Sequence, residues 1–143
     1  MLRRSLLVLI LSSLSGLALA DDAPATPTTL KGGKIITVDE AAALSKNKGA
    51  SFVDTRSTLN FGKGHIPGAI TAAYKEKSEK VENFDVALDQ FDFAAKIVFY
   101  SDGPTGWKSY KAAVLAIKQG YSNVLYLRGG FADWTAKNLP VER

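Results

Sequence analysis

The stretch Ile97-Val-Phe-Tyr-Ser-Asp-Gly-Pro-Thr-Gly-Trp-Lys-Ser109 joins four apolar residues to a Gly/Pro-rich turn and then to a segment of helical spacing. A continuous apolar run bounded by turn residues reads as a strand buried on both faces, the kind found in parallel sheets. The turn after it reads as an anion cradle. Amides at a helix start have no intrahelical acceptor, and the aligned peptide dipoles add partial positive charge there. The candidate loop is Ser101, Asp102, Gly103, Pro104, Thr105, Gly106, Trp107, Lys108 and Ser109. The chain contains no cysteine, so this cradle has no thiolate to present as a nucleophile.

Downstream of the turn, Trp107 to Gln119 carries helical spacing at Tyr110, Ala113, Val114 and Ile117, with Gly120 as the stop. Asn123 to Leu127 reads as the next strand, followed by Gly129-Gly130 and a short helix from Phe131 to Lys137. Upstream, Thr37-Val-Asp-Glu40 fits a capping box that opens an Ala/Leu helix ending near Asn47-Lys-Gly49. Ser51 to Asp54 follows as a strand, and Ala69 to Tyr74 as a second short one. Lys75 to Phe93 is polar and reads as helical or irregular, its mixed charges a solvated face. Alternating strands and helices predict an α/β domain with a mainly parallel sheet. Ligands in such sheets sit beyond the carboxyl ends of the strands, where the turn after Tyr100 lies.

The first twenty residues read as an export signal: Arg3 and Arg4, an apolar run from Leu6 to Leu11, a Ser/Gly break, then Leu17-Ala-Leu-Ala20. Ser12, Ser13, Ser15 and Gly16 interrupt the apolar run, which favours a removed peptide over a stable membrane span. Cleavage after Ala20 removes Arg3 and Arg4 and lowers the formal net charge from +4 to +2. Nucleic-acid binding is not expected at that charge, with no basic run interleaved with aromatics. Residues 21–33, rich in Ala, Pro, Thr and Asp at their start, read as a flexible leader, and the domain as residues 34–143. A periplasmic or secreted location follows from the signal. The single histidine and the missing cysteines give no support to a metal site, and no cofactor is expected.

Three segments taken together resemble the rhodanese-like (sulfurtransferase) domain. They are Val53-Asp-Thr-Arg56 with Phe61 and Gly64-His-Ile-Pro-Gly-Ala-Ile70; the strand and turn from Ile97 to Ser109; and Gly120-Tyr-Ser-Asn-Val-Leu-Tyr-Leu-Arg-Gly-Gly-Phe-Ala-Asp-Trp134 with Leu139-Pro-Val-Glu142. The resemblance implies a three-layer α/β fold in which a cysteine after the fourth strand carries a persulfide within a loop of backbone amides. Ser101 stands at that position here. The loop is similar to that of an exported subgroup with a second cysteine just before the Trp, where this chain has Gly106. It is longer than the common six-residue sulfurtransferase loop and lacks its arginines.

With both thiols replaced, the resemblance implies a binding or accessory module for a small oxyanion or an extracytoplasmic protein, without sulfurtransferase activity. A serine oxygen cannot form a persulfide and needs a nearby base to become nucleophilic. Two alternatives stay open: an enzyme of the rhodanese/phosphatase superfamily working without cysteine through Ser101 or Asp102, and a cysteine-replaced form of an active thiosulfate sulfurtransferase. A Ser/His/acid hydrolase would need Ser101, His65 and Asp102 or Asp54 to converge. His65 reads more simply as part of a structural turn, and Asp54 with Arg56 as a supporting pair that locks the domain. Gly129 and Gly130 read as a tight turn and Trp134 as core. Trp107 walls the loop, contacts a partner or packs inward, and Lys108 is the cation best placed for a bound anion.

Overall fold

Successive residues of the central strands send their side chains to opposite faces of the sheet, and both faces are buried. Ile97, Phe99, Val53, Val124 and Tyr126 pack with Ala112, Ala113 and Ala116 on one face. Val98, Tyr100, Phe52, Leu125 and Leu127 pack with Ala41 and Trp134 on the other. A computed structural model describes residues 23–75, 80–81 and 88–143. The expected export signal, residues 1–20, lies outside them.

The described elements run β1 (Lys34–Ile36), α1 (Val38–Lys46), β2 (Ser51–Asp54), α2 (Thr58–Lys63), β3 (Ile70–Thr71), β4 (Tyr74–Lys75), β5 (Lys80–Val81), β6 (Ile97–Tyr100), α3 (Trp107–Lys118), β7 (Val124–Leu127) and α4 (Gly130–Ala136). The main sheet has the order β1-β7-β6-β2-β3, and each neighbouring pair is parallel. The α3 alanines cover one face, and α1 with α4 covers the other. This is the expected α/β architecture. No helix among the described residues is long and apolar enough to cross a membrane.

The local signals act as physical chemistry predicts. Thr37 caps α1 in a complete capping box: its side chain accepts from the Glu40 amide while Glu40 reaches back to the Thr37 amide. Gly120, at φ +104°, ends α3 in a conformation that costs other residues a steric penalty. The face of α3 against the sheet consists of Ser109, Ala112, Ala113 and Ala116, while the expected apolar positions Tyr110, Val114 and Ile117 flank it half-buried. Small residues let helix and sheet approach closely.

Three expectations change. The Ala69–Tyr74 strand divides into β3 and β4, and β4 pairs antiparallel with β5 in a separate ribbon. Residues 76–79 and 82–87 of the polar stretch lie outside the described residues. The six-residue α2 had no helical period to announce it and rests on Ser57, whose side chain accepts from the Asn60 amide. Of the stretch read as a flexible leader, the described part from residue 23 on is docked: Thr26 and Leu30 are buried, and Leu30 joins the α3-side core. Its composition suggested no core, but one leucine and a threonine with long-range partners suffice to fix it.

Core burial sets the first expected outcome. Leu127→Ala, at a fully buried position between α1 and α4, should lower unfolding free energy by about 2–5 kcal/mol in urea titration. Leu59→Ala, on the exposed face of α2, should change it by less than about 0.5 kcal/mol.

Candidate functional site

Register places three loops side by side at one edge of the sheet. Asp54 of β2 pairs with Tyr100 of β6, and Tyr100 pairs with Leu127 of β7. The chain after each strand therefore starts at the same level: Thr55-Arg56, Ser101 to Gly106, and Arg128-Gly129. This carboxyl edge is where an open parallel sheet holds its ligands.

The peptide groups of the middle loop have a definite orientation. The Phe131 amide donates to the Ser101 carbonyl and the Ala132 amide to the Asp102 carbonyl, both at 2.9 Å. All peptide bonds among the described residues are trans, so carbonyl and following N–H point in opposite directions. The amides of Asp102 and Gly103 are thereby turned away from α4. They have no acceptor among the described residues. Gly106 closes the turn by donating to the Gly103 carbonyl at 2.9 Å.

Hydrogen-bond needs at the helix starts point the same way. The first amides of every α-helix lack intrahelical acceptors. Thr37 serves α1 and Ser57 serves α2, while α4 directs its first amides onto the loop carbonyls. The twelve-residue α3 is different: Gly106 supplies no side-chain cap, and the first turn holds no acidic residue. Beside that uncapped start lies the Ser101 hydroxyl, 1% exposed as a residue and without a hydrogen-bond partner among the described residues. A Cβ placed on Gly106 would come within 2.9 Å of Ser101 Oγ. The two positions that the resemblance assigns to cysteines are thus in contact.

Residues 24–26 press on the loop from another side. The Thr26 amide and hydroxyl both donate to the Pro104 carbonyl, at 2.8 and 3.0 Å. With its one proton committed there, Thr26 Oγ1 accepts from the Tyr126 hydroxyl at 2.9 Å. Arg128 donates through Nε and Nη2 to the Thr26 carbonyl. The Trp107 indole donates to the Pro24 carbonyl at 2.8 Å. Trp107 is half-buried and meets Tyr110 edge-on, so its contact is with the strap of its own chain.

Asp54 and Arg56 form a buried pair beside the loop. Arg56 donates to both Asp54 oxygens, at 2.7 Å from Nη2, and to the Gly64 carbonyl. Its guanidinium lies 4.1 Å from the Phe131 ring centroid. Burial alone would lower the Arg56 pKa, but the Asp54 hydrogen bonds and charge outweigh it and raise it. Tyr100, buried against the pair, accepts from the Ile66 amide at 3.1 Å. Burial, reinforced by the Asp54 charge, drives its phenol far above the ordinary value. The pair locks β2 to the Gly64 turn and to α4, so the Arg56 charge is largely committed within the fold.

The candidates therefore divide. Ser101, Gly103 and Gly106 converge, while Asp102, Pro104 and Thr105 are exposed on the loop and Lys108 is half-buried in the first turn of α3. Ser109 turns inward, its hydroxyl donating to the Gly106 carbonyl at 3.4 Å, and is removed from the open side. His65 and Ser101 share no hydrogen bond. His65 Nδ1 is 2.8 Å from the Phe61 carbonyl, its ring stacks on Phe61, and Nε2 faces Glu142. Asp54 is committed to Arg56. No Ser/His/acid arrangement is present among these residues. Sequence reading gave no site role to Pro24 and Thr26, which carry no local motif, or to Tyr126 and Arg128, which stood only within the third segment of the resemblance. Gly130 was legible as a turn, and its role is sharper than that: at φ +61°, its Cβ would sit 2.5 Å from the Ser101 carbonyl oxygen and 2.7 Å from the Gly103 nitrogen.

Two expected outcomes follow from this geometry. Gly130→Ala combines a left-handed backbone, costing about 1–2 kcal/mol, with collision against the loop. It should lower the melting temperature and accelerate exchange of the Phe131 and Ala132 amides, measured by NMR. For Tyr100 the direction is set by a folded-state pKa raised above the ordinary 10.0. Below that value both states keep the proton; above it the unfolded chain ionises first, so stability falls as pH rises. Tyr100→Phe should flatten part of this alkaline loss in denaturation curves recorded between about pH 9 and pH 11. It should also lower neutral-pH stability by about 1–3 kcal/mol, by leaving the Ile66 amide without its acceptor.

Comparison with known proteins agrees with the fold. The family model described as Rhodanese-like domain matches residues 37–137. The chain is 34% identical over 111 residues to the uncharacterized protein YibN of Escherichia coli K12, covering 77% of this chain and 73% of that protein. It is 33% identical over 103 residues to the thiosulfate sulfurtransferase GlpE of Pseudomonas putida KT2440, covering 72% and 86%. Among solved structures, the Alr3790 protein from Anabaena sp. superposes with a TM-score of 0.63 at 23% identity, over 75% of this chain and 90% of that one. RPA3614 from Rhodopseudomonas palustris, described as a protein of unknown function and possible tyrosine phosphatase, gives 0.60 at 26% identity, over 83% and 98%. The family match spans most of the parallel sheet and all of the loop at its edge, and the chain belongs to the rhodanese-like domain family as a member that contains no cysteine.

Proposed function

We propose that this protein is an exported oxyanion-binding domain that keeps the amide cradle of a sulfurtransferase and carries no sulfur. The reading rests on one observation. The uncapped start of α3 lies beside a buried Ser101 hydroxyl without a hydrogen-bond partner among the described residues, where the resemblance places a nucleophile, and the Asp102 and Gly103 amides that follow it are turned away from α4. Fixed N–H donors at a helix N-terminus favour tetrahedral oxyanions, and a hydroxyl adds both a donor and an acceptor. Thiosulfate, sulfate and phosphate share that chemistry. The name of GlpE makes thiosulfate the first to try.

Sulfur transfer needs a nucleophile that can accept a sulfane sulfur and hand it on. Oxygen at position 101 does neither, and no base among the described residues is hydrogen-bonded to it. The N-terminal pattern of Arg3, Arg4, Leu6 to Leu11 and Leu17-Ala-Leu-Ala20 supports export to the periplasm or beyond. Protein sequencing of the product from an envelope fraction tests this, with a mature terminus at Asp21 expected.

Calorimetric titration of the purified protein tests the binding reading: saturable heat with at least one of the three anions is expected, and flat titrations with all three overturn it. The unaltered chain should show no sulfur transfer from thiosulfate to cyanide. Asp102, exposed on the loop, sets a negative charge beside the bound anion. Asp102→Asn should therefore tighten binding roughly two- to fivefold at low salt, a gain that shrinks as salt is added.

A further inference from the structure

The strap at residues 24–26 does more than cover the domain. Thr26 grips the Pro104 carbonyl twice, by amide and by hydroxyl. Because the Pro104–Thr105 peptide is trans, a carbonyl held toward the strap aims the Thr105 N–H away from it. Thr105 N–H has no acceptor among the described residues. The same logic governs Asp102 and Gly103, whose preceding carbonyls are held by α4. Two clamps from opposite ends of the chain thus orient the loop peptides, one through Ser101 and Asp102 and one through Pro104.

We propose that Thr26 is a positioning residue of the oxyanion cradle, holding the Pro104 carbonyl outward so that the Thr105 amide faces the ligand. The proposal rests on the reading of this loop as an oxyanion cradle. Thr26 is itself held in place. It is 2% exposed, its carbonyl takes two donors from Arg128, and its hydroxyl takes the Tyr126 proton. Arg128 and Tyr126 belong to the end of β7, so the strap transmits the rigidity of the sheet edge to a loop that Gly103 and Gly106 would otherwise leave soft. Coupling of this kind is reciprocal: an anion bound through Thr105 also stabilises the docked strap.

The test uses the full mature chain and Thr26→Val, which keeps the shape and the amide and removes the hydroxyl. Thiosulfate, sulfate and phosphate are titrated by calorimetry and by NMR of the backbone amides. The variant is expected to bind the preferred anion about three- to tenfold more weakly. The anion-induced shift of the Thr105 amide should shrink, while those of Asp102 and Gly103, held by α4, persist. A general loss of structure would diminish all three together. Thr26→Ser, which keeps the hydroxyl, should restore both affinity and the Thr105 shift. If Thr26→Val does not fold, Tyr126→Phe carries the test, with the same selective loss at Thr105 expected. Unchanged affinity and an unchanged Thr105 shift in a folded variant overturn the role of Thr26 and leave the cradle standing. Absence of binding by the unaltered chain overturns the cradle and this proposal with it.

Discussion

The carbonyls of Ser101, Asp102 and Pro104 are each held by donors from outside their loop, and the arrangement of the site depends on those bonds. A Gly/Pro-rich turn has many conformations open to it, and glycine widens the choice. The Phe131 and Ala132 amides narrow it from one side and Thr26 from another. Each donor satisfies a need of its own. For α4 the bonds solve the shortage of acceptors at a helix start, and for the strap they fix a segment with little apolar surface. The loop gains its shape as a consequence. Gly130 is where this arrangement is tightest, since the loop backbone lies where any side chain would have to be.

The buried Asp54–Arg56 pair belongs to the same edge and has a different task. A buried ion pair gives little net stability over an apolar replacement, but loss of one partner leaves an uncompensated charge. Arg56 offsets its desolvation with two carboxylate oxygens, the Gly64 carbonyl and the face of Phe131. The pair therefore aligns β2, the turn at Gly64 and α4. Because Phe131 also donates to the Ser101 carbonyl, the residue beneath the guanidinium is one that orients the loop. The pair acts as a support of the loop.

Much of the architecture was legible because its signals are local. The capping box at Thr37 and Glu40, the apolar run from Ile97 to Tyr100 and the stop at Gly120 each depend on neighbours within a few residues. The turn after Tyr100 was legible for the same reason, as was the likeness of Ser101 and Gly106 to positions that carry cysteine. The short α2 escaped because six residues do not establish a period. The strap escaped because its partners are far away in sequence: Thr26 meets Pro104 across 78 positions and Arg128 across 102. Ser109 looked like a loop ligand by position, yet helical phase turned it inward, toward Tyr126 of the sheet.

Sequence alone established an alternating α/β chain, a Gly/Pro-rich turn leading into a segment of helical spacing and the complete lack of thiol chemistry. The resemblance to the family implies that Ser101 stands where a reactive cysteine would be. Tertiary structure decided which way the peptide groups of that turn face. A peptide's orientation is set by whichever donor captures its carbonyl, and here the donors come from α4 and from residues 24–26. Such bonds form only after the parallel sheet has brought β6, β7 and both chain regions to one edge, so no stretch of local sequence contains them.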